Sequence, residues 1–183
     1  PIILSLGLAN LQDIEIALKN LKKNGNNKVI LLQCVSSYPA RIEEQNINSL
    51  KNINKKFKTI VGLSDHTKGY IAPLTAVAIG AKAIEKHFNL SNNKSVDSFF
   101  STSEKEFKNM VTNIRLTESA LGNGKIKIST SGMENYNSRR SIYVSNNIRI
   151  GDKISSKNIK IVRPNYGLHP KYYNYILNKK SKV

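Results

Sequence analysis

The sequence predicts an α/β fold with a parallel sheet, and three observations carry that expectation. Four short apolar runs each precede a stretch with helical spacing. The runs are continuous and not alternating, as strands buried on both faces tend to be. Helix start and stop signals punctuate the stretches between them. The first run is Ile2-Ile3-Leu4, leading into Ser5 and Gly7. Asn10 with Asp13 then marks a helix start, Leu11, Ile14, Leu18 and Leu21 share one helical face, and Asn24-Gly25 supplies the stop, since Gly tolerates the left-handed conformation that follows a helix. Val29-Ile30-Leu31-Leu32 is the second run, with Ile47, Leu50, Ile53 and Phe57 as the helix face after it. Ile60-Val61-Gly62-Leu63 is the third, followed by a helix over about residues 71–79 that is apolar nearly all round. Ala83-Ile84-Glu85 begins the fourth. Ser103 and Glu106 form a capping box that opens a helix with Phe107, Met110, Val111, Ile114 and Leu121 inward, and Gly122 closes it.

Residues 1–122 thus read as four strand–helix units. Residues 123–140 are rich in Gly, Ser and Asn and read as a linker. In residues 141–183, Ser141-Ile142-Tyr143-Val144 and Ile159-Lys160-Ile161-Val162 are short strands, with a turn at Ile150-Gly151-Asp152. A tail of this length buries no large core of its own, so it is expected to dock on something.

Composition excludes several classes of function. Of the 183 residues, 39% are hydrophobic and 22% charged, which suits a soluble globular chain and not a disordered one. No apolar run approaches the roughly 20 residues of a membrane span. No basic segment, apolar stretch and cleavage site follow one another at the N-terminus. A lone cysteine, Cys34, cannot form an internal disulfide and fits a reducing cytoplasm. A cytoplasmic protein that engages no membrane is therefore expected. The net charge of +17 would also suit a nucleic-acid surface. Lys is spread along the whole chain, however, and Asn is equally abundant, as in Asn26-Asn27, Asn92-Asn93 and Asn146-Asn147. Such joint enrichment is what an AT-rich coding sequence gives. Interleaved aromatics or arginines of a nucleic-acid groove are lacking, so no nucleic-acid partner is expected. An anionic substrate would still be drawn to such a protein.

In parallel α/β folds, functional groups collect at the carboxyl ends of the strands. Those ends carry Ser5; Ser36, Ser37 and Tyr38; Ser64, Asp65 and His66; and Lys86 and His87. Two of the three histidines thus fall at adjacent strand ends, one strand spacing apart, where they can share a divalent metal with water completing the shell. Each alone would read as an ordinary, partly buried histidine with a backbone partner. The hydroxyls of Ser5, Ser36 and Ser64 can donate to a phosphate, although turns and caps also claim most serines. Tyr38-Pro39 reads equally well as a packed turn, and Asp97, after an Asn-rich loop, as solvated surface. No Gly-x-Gly-x-x-Gly follows a strand, and Gly122 to Lys125 lacks the spacing of a phosphate loop. Cys34 lies inside the second apolar run, where core packing explains it.

At these residues the sequence resembles a known family. Cys34-Val35-Ser36-Ser37-Tyr38-Pro39, Gly62-Leu63-Ser64-Asp65-His66-Thr67 and Ile84-Glu85-Lys86-His87-Phe88 are similar, in order and spacing, to the sialic acid synthases. Within that family, Val96-Asp97-Ser98 with Phe100-Ser101, and the segment from Arg163 to Tyr173, resemble the branch that makes pseudaminic acid. The resemblance implies a (β/α)8 TIM barrel followed by a small antifreeze-like β domain, the SAF domain, which in family dimers reaches over the partner's barrel. It implies that His66 and His87 bind Mn²⁺ or Mg²⁺ and that Ser5, Ser36 and Ser64 contact phosphoenolpyruvate. Tyr38 and Asp97 would contact the amino sugar, and Arg163 would contact it from the neighbouring subunit of a homodimer. Ser36 stands where some neuraminate synthases have Asn. The implied reaction joins phosphoenolpyruvate to a 2,4-diacetamido-2,4,6-trideoxy hexose, giving pseudaminic acid and phosphate.

A closed barrel has eight strands in about 250 residues, and only four runs precede the linker. They match the family's second half, and the tail stops short of a full SAF domain. The lysines that hold phosphoenolpyruvate's charges and the acidic residue nearest the chemistry would lie in the first half. This chain alone is therefore expected to be inactive. Two alternatives stand beside this reading: a synthase of neuraminic or legionaminic acid, and a non-catalytic barrel fragment that needs a partner.

Overall fold

Four parallel strands form where the apolar runs stand: β1 (Ile2–Ser5), β2 (Val29–Cys34), β3 (Ile60–Asp65) and β4 (Ala83–Lys86). A computed structural model describes them within residues 1–90 and 95–182; the Asn-rich loop expected around Asn92-Asn93 lies outside the described residues. The strands pair in sequence order, β1-β2-β3-β4, each parallel to the next. Between them run α1 (Leu11–Lys23), α2 (Ser49–Phe57) and α3 (Ile71–Ala78), and α4 (Glu104–Leu121) follows β4. Sequential parallel neighbours joined by helices are the repeating unit of an α/β sheet.

The helix boundaries follow local chemistry. The Asn10 side chain accepts from the backbone N–H of Gln12 and Asp13, and Asp13 accepts in return from Asn10 N–H. Ser103 and Glu106 close the same reciprocal box on α4, so both helices satisfy N–H groups that would otherwise lack partners.

Register divides the strand side chains between two faces. Leu4, Leu31, Val61, Leu63 and Ile84 face the helices and pack with Ile14, Leu50, Ile53, Ala72 and Ala76. Leu31 and Leu63 are wholly buried there, each side chain contributing about 1.5–3 kcal/mol. The opposite face carries Ile3, Ser5, Leu32, Cys34, Gly62, Ser64, Ala83 and Glu85. Gly62 is required at its position, because a Cβ there would lie 2.3 Å from Ala83 O and 2.6 Å from Leu32 Cδ2.

Burial departs from the sequence expectation in places. Ile3 and Ile60 are 58% and 52% exposed on the face away from the helices; β1 is an edge strand, and that face is covered only near its centre. Leu11, on the first turn of α1, is exposed, and so are Val111 and Leu121 on α4; the buried contacts of those helices are made by Ile14 and by Met110 and Ile114. A smaller cluster of Val77, Met110 and Ile114 joins α3 to α4.

The chain divides into a unit of residues 1–124 and one of residues 125–183. The stretch expected to be a plain linker contains α5 (Thr130–Met133), capped by Ser129, and a 3₁₀ turn at Tyr136–Ser138. In the second unit β5 (Ser141–Val144) pairs antiparallel with β6 (Ile159–Val162), and α6 (Tyr173–Ile176) lies near the end. Tyr143 Oη donates to Pro164 O at 2.8 Å and accepts from Tyr166 N, while Ser141 Oγ donates to Asn165 Oδ1. These bonds tie down the segment that follows Arg163. No described helix is long and apolar enough to cross a membrane.

Candidate functional site

Each strand of the larger unit delivers polar side chains where its apolar run ends. Ser5 is the last residue of β1 and is exposed. Ser36 follows β2 by two residues, and its Oγ would lie 2.7 Å from a Cβ at Gly7, so the exits of β1 and β2 meet without room for a side chain between them. Beyond Ser36, a cis peptide bond joins Tyr38 to Pro39.

His66 leaves the end of β3 and is 6% exposed. Its Nδ1 lies 2.8 Å from Val35 O. A carbonyl only accepts, so Nδ1 carries the proton and Nε2 keeps its lone pair in the neutral ring. His66 O in turn accepts from Ala40 N at 2.9 Å. His87 follows β4, with its Nδ1 3.5 Å from Asp97 Oδ2. That carboxylate stands within reach of a proton on Nδ1, and the neutral ring with its proton there has the Nε2 lone pair free.

The rings gather closely. Tyr38 lies 4.3 Å from His66 and 5.9 Å from His87, the two histidines are 5.2 Å apart, and Phe100 is 4.8 Å from His87, all between centroids. Tyr38, His66, His87 and Asp97 therefore form one cluster. Two imidazoles with their ring centroids 5.2 Å apart are a donor pair of the kind that divalent ions take. Among the described residues no group of three or more His, Cys, Asp or Glu side chains is placed to hold a metal ion, so further ligands would be water or a bound oxyanion.

Two residues flank this cluster in ways that residue type alone did not signal. Ser64, 2% exposed, donates its Oγ proton to Glu85 Oε1 at 2.7 Å. Glu85 thus joins the serines on the face away from the helices. Lys86, which sequence position groups with the strand-end cluster, points to the helix side. Its Nζ lies 2.6 Å from Asp65 Oδ2, with side chains 2% and 0% exposed. Alternation along β3 and β4 was the available signal: it puts Ser64 and Glu85 on one face and Asp65 and Lys86 on the other. Cys34 is buried, as core packing requires. Arg163 belongs to the second unit, where it is exposed and joined to Pro164 by a cis bond.

Residues 1–126 match the model of the NeuB family, and residues 139–183 match that of the SAF domain. The pseudaminic acid synthase of Campylobacter jejuni is 43% identical over 182 residues, covering 99% of this chain and 53% of that protein. The N,N'-diacetyllegionaminic acid synthase of the same species is 41% identical, covering 97% of this chain and 54% of its own length. Among solved structures, the spore coat polysaccharide biosynthesis protein SpsE of Bacillus subtilis is 31% identical with a TM-score of 0.62, over 97% of this chain and 55% of that one. The chain spans about half the length of the curated relatives it matches.

Proposed function

The chain belongs to the NeuB family, and on that premise we propose that it forms the histidine-bearing half of a nonulosonic acid synthase. The reaction is condensation of phosphoenolpyruvate with a 2,4-diacetamido-2,4,6-trideoxy hexose, giving pseudaminic acid and phosphate. One observation carries the reading: His66, held at Nδ1 by Val35 O, and His87, whose Nδ1 lies 3.5 Å from Asp97, stand with their rings 5.2 Å apart. That donor set fits a divalent metal, because neutral imidazole nitrogens suit such ions and a ring with its proton on Nδ1 has the Nε2 lone pair free. Mn²⁺ or Mg²⁺ held there would supply Lewis acidity toward the open-chain aldehyde of the sugar.

The remaining residues bind and orient. Ser5 and Ser36, both exposed at strand ends, offer hydroxyl donors to the phosphate or carboxylate of phosphoenolpyruvate. Ser64 can turn its hydroxyl to that anion only by releasing Glu85. The half-exposed Tyr38 ring covers the histidines and presents its hydroxyl to the sugar. Asp97, with a side chain 51% exposed, can accept from a sugar hydroxyl while still facing His87. Arg163 contacts the sugar from the neighbouring subunit of a homodimer. Bond making is then balanced: C3 of phosphoenolpyruvate joins the aldehyde carbon, water adds at C2, and phosphate leaves with its ester oxygen. Four strands supply only part of the charge that must be held around phosphoenolpyruvate, so residues 1–183 by themselves are expected not to turn over.

A legionaminic acid synthase is the second reading, because the relative of that name is nearly as similar at 41% identity. The motif Val96-Asp97-Ser98 and the Arg163–Tyr173 segment favour pseudaminic acid. The test supplies these residues together with the rest of the barrel, adds phosphoenolpyruvate and either diacetamido sugar with Mn²⁺, and identifies the product by mass spectrometry. A nine-carbon product from the legionaminic precursor alone overturns the substrate assignment. Absence of product from both sugars overturns the synthase reading.

A further inference from the structure

We infer that the buried Lys86–Asp65 ion pair is a positioning device that sets the spacing and ring orientation of His66 and His87. The consequence for metal affinity rests on the function proposed above; the consequence for the histidine rings does not. Asp65 and Lys86 are register partners across β3 and β4. Lys86 Nζ donates to Asp65 Oδ2 at 2.6 Å and to Thr67 O at 2.7 Å, while Asp65 Oδ1 accepts from Thr67 N at 2.8 Å. The residue enclosed by these three bonds is His66. The residue next to Lys86 is His87. One buried contact therefore grips the backbone on both sides of the first histidine and the strand end that carries the second.

Stability alone is a poor reason for such a pair. Both side chains are almost wholly withdrawn from water, and taking two charges out of water offsets most of their attraction. Well-packed apolar side chains of similar volume commonly hold a fold as firmly. What apolar packing does not reproduce is direction: the ammonium and carboxylate here address specific backbone N–H and C=O groups of Thr67. Loss of that direction leaves His66 free to rotate against Val35 O. Partners bonded directly to metal-binding histidines typically affect affinity ten- to hundredfold, and a pair that holds the backbone beside both rings acts through the same geometry.

The test separates position from stability. In the metal-free full chain, histidine ¹H–¹⁵N spectra of the unaltered protein should show His66 protonated at Nδ1, with a ring-to-ring NOE to His87. The double variant Asp65→Leu/Lys86→Met should keep a cooperative thermal transition at a similar temperature. Its His66 signals should average over both tautomers, the NOE should vanish, and affinity for Mn²⁺ alone, by titration calorimetry, should fall about ten- to hundredfold. Lys86→Arg keeps the charge but not the point contact with Thr67 O. It should show the same histidine changes with a loss of about tenfold, and it decides the matter if the double variant does not fold. Histidine spectra unchanged in a folded variant overturn the inference. Absence of Mn²⁺ binding by the unaltered protein overturns the metal reading, while the metal-free spectra still decide the positioning role.

Discussion

His66 and His87 meet edge to face, their ring planes 77° apart and their centroids separated by 5.2 Å. Neither ring is needed to fill the core among the helices, so truncation should remove chemistry before structure. His66→Ala and His87→Ala are each expected to lower the metal-dependent activity of the complete synthase at least a hundredfold, with no recovery in excess Mn²⁺. Their stabilities should differ. His66→Ala leaves Val35 O without its partner and should cost about 1–3 kcal/mol, whereas His87, with a side chain 33% exposed, should cost less. Near-normal turnover of either variant after chelation and metal add-back overturns the assignment.

Gly62 is where the sheet has no tolerance. A Cβ there meets the backbone oxygen of Ala83 at 2.3 Å, and neither paired strand can move without breaking the ladder that sets Ser64 against Glu85. Gly62→Ala should destabilise by about 3 kcal/mol. Gly25→Ala, at a φ of +76° with open space around it, should cost roughly 1 kcal/mol for backbone strain alone. Chemical denaturation of both variants gives the comparison; equal losses would mean that the close approach relaxes.

Much of this was legible beforehand, for physical reasons that can be located. Continuous apolar runs identified the four strands, because the central ones are buried on both faces, with Leu31 and Leu63 on the helix side and Leu32 and Cys34 opposite. Capping residues fixed the starts of α1 and α4, because their bonds are local. Pairings across the sheet were not legible. Ser64 with Glu85, and Asp65 with Lys86, depend on a register that no single segment encodes. The exposure of Leu11, Val111 and Leu121 was also hidden, since helical spacing defines a face but not how far the covering sheet extends. The turns within residues 125–140 rest on Ser129 and on short-range bonds that a Gly, Ser and Asn-rich composition does not advertise.

Thr67 offers a test with the opposite sign. Its backbone N–H and C=O are both engaged by the Asp65–Lys86 pair, but its Oγ1 is buried without a hydrogen-bond partner among the described residues. A buried hydroxyl in that state costs about 1–3 kcal/mol relative to a satisfied one. Thr67→Val keeps the branched shape, so it should leave the melting temperature unchanged or raise it by an amount worth up to about 1 kcal/mol. A marked fall would show that the hydroxyl has a partner in solution.

The cap on α4 should respond to pH. Hydrogen bonds from the Ser103 hydroxyl and backbone N–H hold the Glu106 carboxyl below the ordinary glutamate range. As pH falls, the unfolded chain takes up this proton before the folded one. The contribution is thus complete above the ordinary range and is lost as pH drops through the lowered value. Glu106 is exposed, so the effect is small. Ser103→Ala should cost about 1 kcal/mol at neutral pH, and the gap should narrow in acid. A gap that is constant across that titration would show that the bond between the Ser103 hydroxyl and the carboxylate contributes nothing.

Arg163 gives the sharpest test of assembly. The bonds of Tyr143 to Pro164 and of Ser141 to Asn165 fix the backbone just beyond it, while its own side chain is exposed. A guanidinium grips a carboxylate or paired sugar oxygens in a fork that an ammonium cannot copy, and a charged hydrogen bond of this kind is worth about 1.5–3 kcal/mol. In the complete synthase, Arg163→Lys should therefore raise the KM for the sugar by roughly ten- to a hundredfold, and that for phosphoenolpyruvate much less. If the residue acts across a two-fold dimer, inactive Arg163→Ala and inactive His66→Ala subunits should complement each other. A mixed dimer keeps one whole site, with the barrel of the first variant and the arginine of the second. Random pairing of equal amounts makes half the dimers mixed, so about a quarter of the unaltered activity should return. No recovery, with subunit exchange verified by mass, would place Arg163 and His66 of each site on the same subunit or remove Arg163 from the site altogether.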